Sequence, residues 1–223
     1  MKQSRLDQLA DGIFAIVMTL LAFTLIVPGT REVSSNTDLI SILHDNGPTF
    51  LSYGLSFLIL FTYWRAHHYI ASVLAKSINN SFTNINAMFL MFVALIPFSA
   101  HFLSLYYDYG VAIGLYGVNV ILIGLSLYEM RSYAWESKKI ENEVQDPVAF
   151  RHGTIRIVTP IIFAFLAISL SFYDTKLSLL LFTLGILFNL SNSSATIMDQ
   201  ILSPVIGSAE KSKLYARGNS VDR

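Results

Sequence analysis

Arg5-Leu-Asp-Gln-Leu-Ala-Asp11-Gly12 runs without a break into Ile13-Phe-Ala-Ile-Val-Met-Thr-Leu-Leu-Ala-Phe-Thr-Leu-Ile-Val27, and Pro28-Gly29 closes the run. A signal peptide also begins with basic residues, but its apolar core is shorter and carries no Asp7 or Asp11 at its threshold. The stretch therefore reads as a helix that enters a bilayer with charges held at its inner edge. Taking about 100° per residue, Leu20, Phe23 and Val27 each fall within about 40° of Ile16. Gly12 and Arg5 lie on roughly the same side, and Thr19 sits about 60° off that seam. Asp11 is turned about 140° away, beside Asp7. One face is thus an apolar stripe and another is acidic at its inner end. The plainest account of such a stripe is packing against neighbouring helices, with Asp11 paired locally.

The remainder of the chain supports the membrane reading. Of 223 residues, 53% are hydrophobic and only 13% charged, against about 25% charged in ordinary soluble domains. Mean hydropathy is +0.54. With no cysteine there is no disulfide framework and no thiolate metal site or nucleophile. A formal net charge of zero gives no footprint for a nucleic-acid partner.

A membrane-spanning helix needs roughly 17–25 apolar residues. Six segments qualify: 9–28, 49–68, 85–105, 111–130, 157–173 and 177–197. The expected fold class is all-α, a polytopic membrane protein with six transmembrane helices, followed by a polar tail over 203–223. The short turn Asp174-Thr175-Lys176 makes the last two helices a tight antiparallel pair. The long polar connection from Arg131 to Arg156 is expected to extend the fourth helix into water. Basic residues favour the cytoplasmic side. With the N-terminus inside, the inner loops and ends collect 13 of the 15 Lys and Arg residues, leaving only Arg31 and Lys176 outside. Both termini are then cytoplasmic.

Catalytic patterns are absent: no HExxH, GxSxG, Walker A or GxGxxG occurs. Adjacent His67 and His68 point about 100° apart on a helix and do not readily share one metal. They read as interfacial or network histidines. His101 reads as a hydrogen-bonded packing residue. Asn189-Leu-Ser-Asn-Ser-Ser194 reads as helix–helix glue, with an aqueous vestibule as the alternative. Gly110 and Gly114 suggest close packing of the fourth helix. No T-V-G-Y-G filter is present.

Three stretches resemble one family. Arg5-x-x-x-Leu9-Ala10-Asp11-Gly12, with Ile13-Phe-Ala-Ile16-x-x-Thr19-Leu20-Leu21, is similar to the Arg-x-x-x-Phe-Ser-Asp-Gly signature of the transmembrane protein 175 family. Tyr63-Trp64-Arg-Ala-His67-His68 resembles that family's second-helix ending, and Asn86 with Phe89 to Phe98 resembles its third helix. Leu9 and Ala10 depart from the signature's phenylalanine and serine. The resemblance implies a prokaryotic potassium channel of the lysosomal type, a homotetramer in the cell membrane whose first helices line the pore. It places a hydrophobic constriction on Ile16, Leu20 and Phe23, with Thr19 adding a ring of hydroxyls. Potassium and other monovalent cations would be permeant species, with no cofactor and no resident metal. Buried charge at the membrane edge is costly unless paired. Asp11 is therefore expected to join Trp64, His67 and Asn86 in a network with Arg5 and Gly12 that fixes the rotation of the first helix. A secondary transporter, or another membrane protein with a buried polar network, is the alternative. Transporters usually show broken helices and midplane charges, and no Asp, Glu, Lys or Arg falls at an expected helix midpoint.

Overall fold

The structure is a computed structural model that describes residues 3–26, 33–75, 78–136, 147–191, 194–198 and 200–201. Every regular element among them is helical: α1 (Gln3–Ala22), α2 (Asn36–Asp45), α3 (Gly47–Tyr69), α4 (Asn80–Ala94), α5 (Ile96–Leu105), α6 (Gly110–Glu136), α7 (Pro147–Leu170) and α8 (Thr175–Leu190). The chain is all-α, as expected. Three stretches, 80–105, 110–135 and 150–170, are each long and apolar enough to cross a membrane. The first helix is long as well, but Arg5, Asp7 and Asp11 occupy its opening turns.

Helix boundaries differ from the sequence reading for identifiable reasons. The first helix runs over Gln3–Ala22 rather than 9–28. It tightens after Leu20, where Phe23, Thr24 and Leu25 donate to carbonyls three residues back at 3.0–3.1 Å. The Thr24 hydroxyl also donates to the Leu21 carbonyl at 2.7 Å. Pro28 has no N–H to offer the Thr24 carbonyl and disfavours helix at residue 27. Between the first two expected spans lies α2, which the hydropathy reading passed over. It is fixed by a capping box in which the Ser35 hydroxyl and the Asp38 carboxylate each accept the other's backbone N–H. The expected third span is divided at Leu95, because Pro97 cannot donate into the ladder. The fourth reaches Glu136, consistent with its expected extension; residues 137–146 and 203–223 lie outside the described residues. The fifth begins at Pro147, and the sixth helix ends at Leu190, where the Ser191 N–H closes on the Phe188 carbonyl at 3.0 Å.

Packing is densest between α6 and α7 and between α7 and α8. The expected close-packing pair Gly110 and Gly114 behaves unevenly. A Cβ at Gly114 would meet nothing within 4 Å, whereas one at Gly110 would lie 3.0 Å from the Ser171 carbonyl. The tight approach instead uses Gly117 and Gly124, where an added Cβ would stand 2.8 Å from Ile168 and 2.6 Å from Ile161. These glycines lie seven residues apart on α6 and so share one face. Buried hydroxyls join the helices. Ser52 donates to the Ala100 carbonyl at 2.6 Å, Ser56 to the Tyr116 hydroxyl at 3.0 Å, and Tyr63 to the Val120 carbonyl at 3.2 Å. Asn119 donates to Ser99 at 3.0 Å and Ser178 to the Ala167 carbonyl at 2.6 Å. In lipid such bonds compensate for water that is not there.

Arg131 is the largest fully enclosed side chain in the core. Its guanidinium donates to the Phe150 carbonyl at 3.0 Å and the Thr154 hydroxyl at 3.3 Å, with Cζ 4.7 Å from the Phe150 ring centroid. It fits because residue 153 is glycine: a Cβ there would lie 2.2 Å from an Arg131 nitrogen.

Candidate functional site

Helix α1 has two faces with opposite fates. Leu6, Ala10, Phe14, Val17 and Leu21, spaced four, four, three and four, are buried against α3, α4, α5 and the π-helical turn Ile70–Leu74. The other face carries Arg5, Gly12, Ile16, Thr19 and Leu20, all exposed. Ile16 is 60% exposed and Leu20 44%, while Phe23, 76% exposed, sits in the turn just beyond the helix. The apolar seam read from spacing therefore does not pack on this chain's own helices. Gly12 faces open space, with nothing within 4 Å of an added Cβ. Val27 lies outside the described residues.

Thr19 has a specific local geometry. Its hydroxyl lies 2.8 Å from the Ile16 carbonyl and 3.0 Å from that of Ala15. The proton is thereby committed to the helix, and the oxygen lone pairs are left to the exposed side. A hydroxyl in this state presents partial negative charge, which suits a cation.

Behind the exposed face, the polar residues form two layers. Beside the opening turns of α1 the Trp64 indole N–H donates to an Asp11 carboxylate oxygen at 2.8 Å. His68 stacks on Trp64 with ring centroids 6.0 Å apart and approaches Asp7 at 3.7 Å. Asp7, Asp11 and His68 bring their ligand atoms within 4.8 Å of one another. One layer deeper, His67 Nε2 and Asn86 Oδ1 are 2.7 Å apart, both side chains buried. The His67 ring lies parallel to Phe89 at 5.2 Å and 6.4 Å from Phe14 of α1. Asp11 is thus joined to Trp64, while His67, held by Asn86, meets α1 at Phe14. Arg5 makes no hydrogen bond or ion pair with any described residue.

Sequence reasoning missed several partners. Phe14 carries the second layer, and Gln3 donates from the start of α1 to the Ala71 carbonyl. The four-four-three-four stripe was the available signal for Phe14; nothing marked Ala71. The expected hydrogen bond of His101 is not made at Nδ1, which is buried without a partner. Asn189 and Ser194 are buried; the Ser194 hydroxyl donates to the Ser191 carbonyl at 2.7 Å, and Asn189 lines a cavity.

Replacing Asp11 with alanine removes the acceptor of Trp64 and should cost about 1 kcal/mol, discounted for exposure. Weaker thermal stability is expected. An Asp11→Ala protein that unfolds at the parent temperature would contradict a positioning role.

Residues 5–97, which contain both layers and the exposed face, match the family described as endosomal/lysosomal potassium channel TMEM175. A potassium channel of Chryseobacterium sp. (strain P1-3) is 26% identical over 173 residues, 78% of this chain and 84% of the relative. A potassium channel of Chamaesiphon minutus is 32% identical over 102 residues, 46% of this chain and 49% of the relative. The fold is similar to the crystal structure of a lysosomal potassium-selective channel TMEM175 homologue from Chamaesiphon minutus. That likeness has a TM-score of 0.71 at 25% identity and covers 84% of this chain and 95% of that one. Residues 5–97 thus carry the pattern of the TMEM175 family, and over most of its length the chain is similar in fold to a TMEM175 channel homologue.

Proposed function

We propose that the chain is a potassium channel of the TMEM175 type, in which copies of α1 surround the pore and Ile16, Leu20 and Phe23 form its constriction. The observation that carries this reading is the exposed face of α1. Apolar side chains and one oriented threonine point away from the chain while two polar layers behind them hold the helix in rotation. A symmetric assembly gives that face something to enclose. Four copies, the number the family resemblance suggests, would stack rings of branched hydrocarbon along one axis.

Such a bore closes by dewetting when it is too narrow to keep water. Potassium sheds its hydration more cheaply than sodium, so a narrow apolar or hydroxyl-lined passage penalises sodium more. No carbonyl filter is required. The membrane placement that goes with this reading has both termini cytoplasmic, in the cell membrane, with potassium as a permeant ion rather than a cofactor.

Purified protein in planar bilayers should give channel-rate currents whose reversal potential follows the potassium gradient. Native mass measurement in lipid nanodiscs should return four chains. Flux at transporter rates, or a conducting monomer, would overturn the proposal.

A further inference from the structure

On the basic side of the molecule, α3, α6, α7 and α8 enclose a cavity of about 570 Å³. Its wall carries Arg65 and His68 from α3, Arg131 from α6, and His152 and Arg156 from α7. No acidic side chain is among the described residues that line it. The volume lies within the usual range for small-ligand sites. Arg131 is committed to Phe150 and Thr154, as described above. Arg65, His152 and Arg156 make no ion pair or hydrogen bond with any described residue, so their donors address no group among the described residues.

A second observation is independent of charge. Asn189, which also lines the cavity, is buried, and its side-chain Oδ1 has no hydrogen-bond donor. A buried carboxamide oxygen without a donor costs about 1–3 kcal/mol. A carboxamide oxygen left so beside these basic side chains calls for a donor from outside the described residues, such as water or a ligand hydroxyl.

We propose that this cavity binds the phosphate of an anionic lipid headgroup, with Arg65, His152 and Arg156 as its donors. Guanidinium groups pair with phosphate through short, charge-assisted bonds and are the usual choice for that anion. The lipid source is favoured over a soluble one by position. The cavity opens where α3 and α8 end and near the start of α7, on the side on which 13 of the 15 basic residues are expected, and anionic headgroups attract such clusters. A hydroxyl-bearing headgroup would in addition offer Asn189 a donor. The cavity shares Trp64 and His68 with the inner polar layer, so an occupied site would abut the group that holds Asp11.

The test is native mass spectrometry of the intact channel in detergent. It is titrated with phosphatidylglycerol, with phosphatidylcholine of the same chains, and with soluble glycerol phosphate. Phosphatidylglycerol should bind about tenfold more tightly than phosphatidylcholine, and Arg156→Gln and His152→Gln should each erase most of that preference. Using two separate variants guards against one that fails to assemble; only proteins with wild-type oligomer mass and helicity are compared. Glycerol phosphate binding with the same dependence on Arg156 and His152 would identify a soluble phosphate site and overturn the lipid assignment. Equal binding of both lipids, or a preference that survives both substitutions, would overturn the site itself.

Discussion

In Ile16→Asn, potassium current is expected to rise about tenfold, equivalent to ~1.4 kcal/mol off the conduction barrier. Sodium should also enter more readily. Ile16 is 60% exposed on the single chain, so its side chain contributes little to packing within that chain. Placed around an axis, the substitution exchanges a ring of branched hydrocarbon for a ring of amides. Amides keep water in a bore that hydrocarbon would empty, and their oxygens replace part of sodium's lost hydration. The companion change is Thr19→Val, which keeps the shape and deletes the hydroxyl that now donates to the Ile16 and Ala15 carbonyls. Fold and conductance should persist while discrimination between potassium and sodium weakens. Reversal potentials under opposing gradients, at matched protein density, read both variants. If both conduct and discriminate like the parent, the pore does not run along α1.

His67→Ala is expected to do the opposite: little to the exposed face of α1 and much to the stability of the helix that carries it. The ring is fully buried between Phe89 and Phe14 and engages Asn86 at 2.7 Å. Truncation leaves a void and strands the Asn86 side chain. Together these should cost about 3 kcal/mol. A loss of that size is a large fraction of the stability of a domain. Thermal unfolding should move down sharply, and the yield of assembled protein should fall. His67→Gln, which can still reach Asn86 but cannot stack, should recover only part of the loss. If His67→Ala unfolds at the parent temperature, the second layer does not anchor α1.

How much of this was legible beforehand depends on the physical signal each residue leaves in the sequence. The seam at Ile16, Thr19 and Leu20 was readable because helical periodicity assigns a face without knowledge of the partner. Phe23 was placed on the same helix by that periodicity, yet the ladder closes at Ala22, since end geometry depends on carbonyl partners and not on hydropathy. Which of the two apolar stripes of α1 is buried was not decidable from spacing: Leu6-Ala10-Phe14-Val17-Leu21 repeats as regularly as the seam. Only the presence of Phe89 and His67 behind Phe14 decides it. The sequence sets Asp11 beside Trp64, His67 and Asn86; the structure joins it to Trp64, a choice that turns on the rotation between Trp64 and His67 on α3. Helix α2 was missed although Ser35-x-x-Asp38 states its cap, because hydropathy windows are blind to short amphipathic helices. The basic cavity left no local trace, since Arg65, His152, Arg156 and Asn189 come from three helices that only the fold brings together.

The enclosed arginine bears on how the chain enters a membrane. Arg131 donates to Phe150 and Thr154 of α7 and lies 5.6 Å from the Tyr69 ring centroid of α3, and Gly153 leaves the space its guanidinium fills. During synthesis α6 emerges first, so its arginine meets lipid or translocon before Phe150 and Thr154 exist. An uncompensated guanidinium resists the hydrocarbon. Arg131 gains its hydrogen-bond acceptors only once α7 has been made, so the seating of α6 is coupled to that of α7, and the glycine at position 153 leaves the room for it.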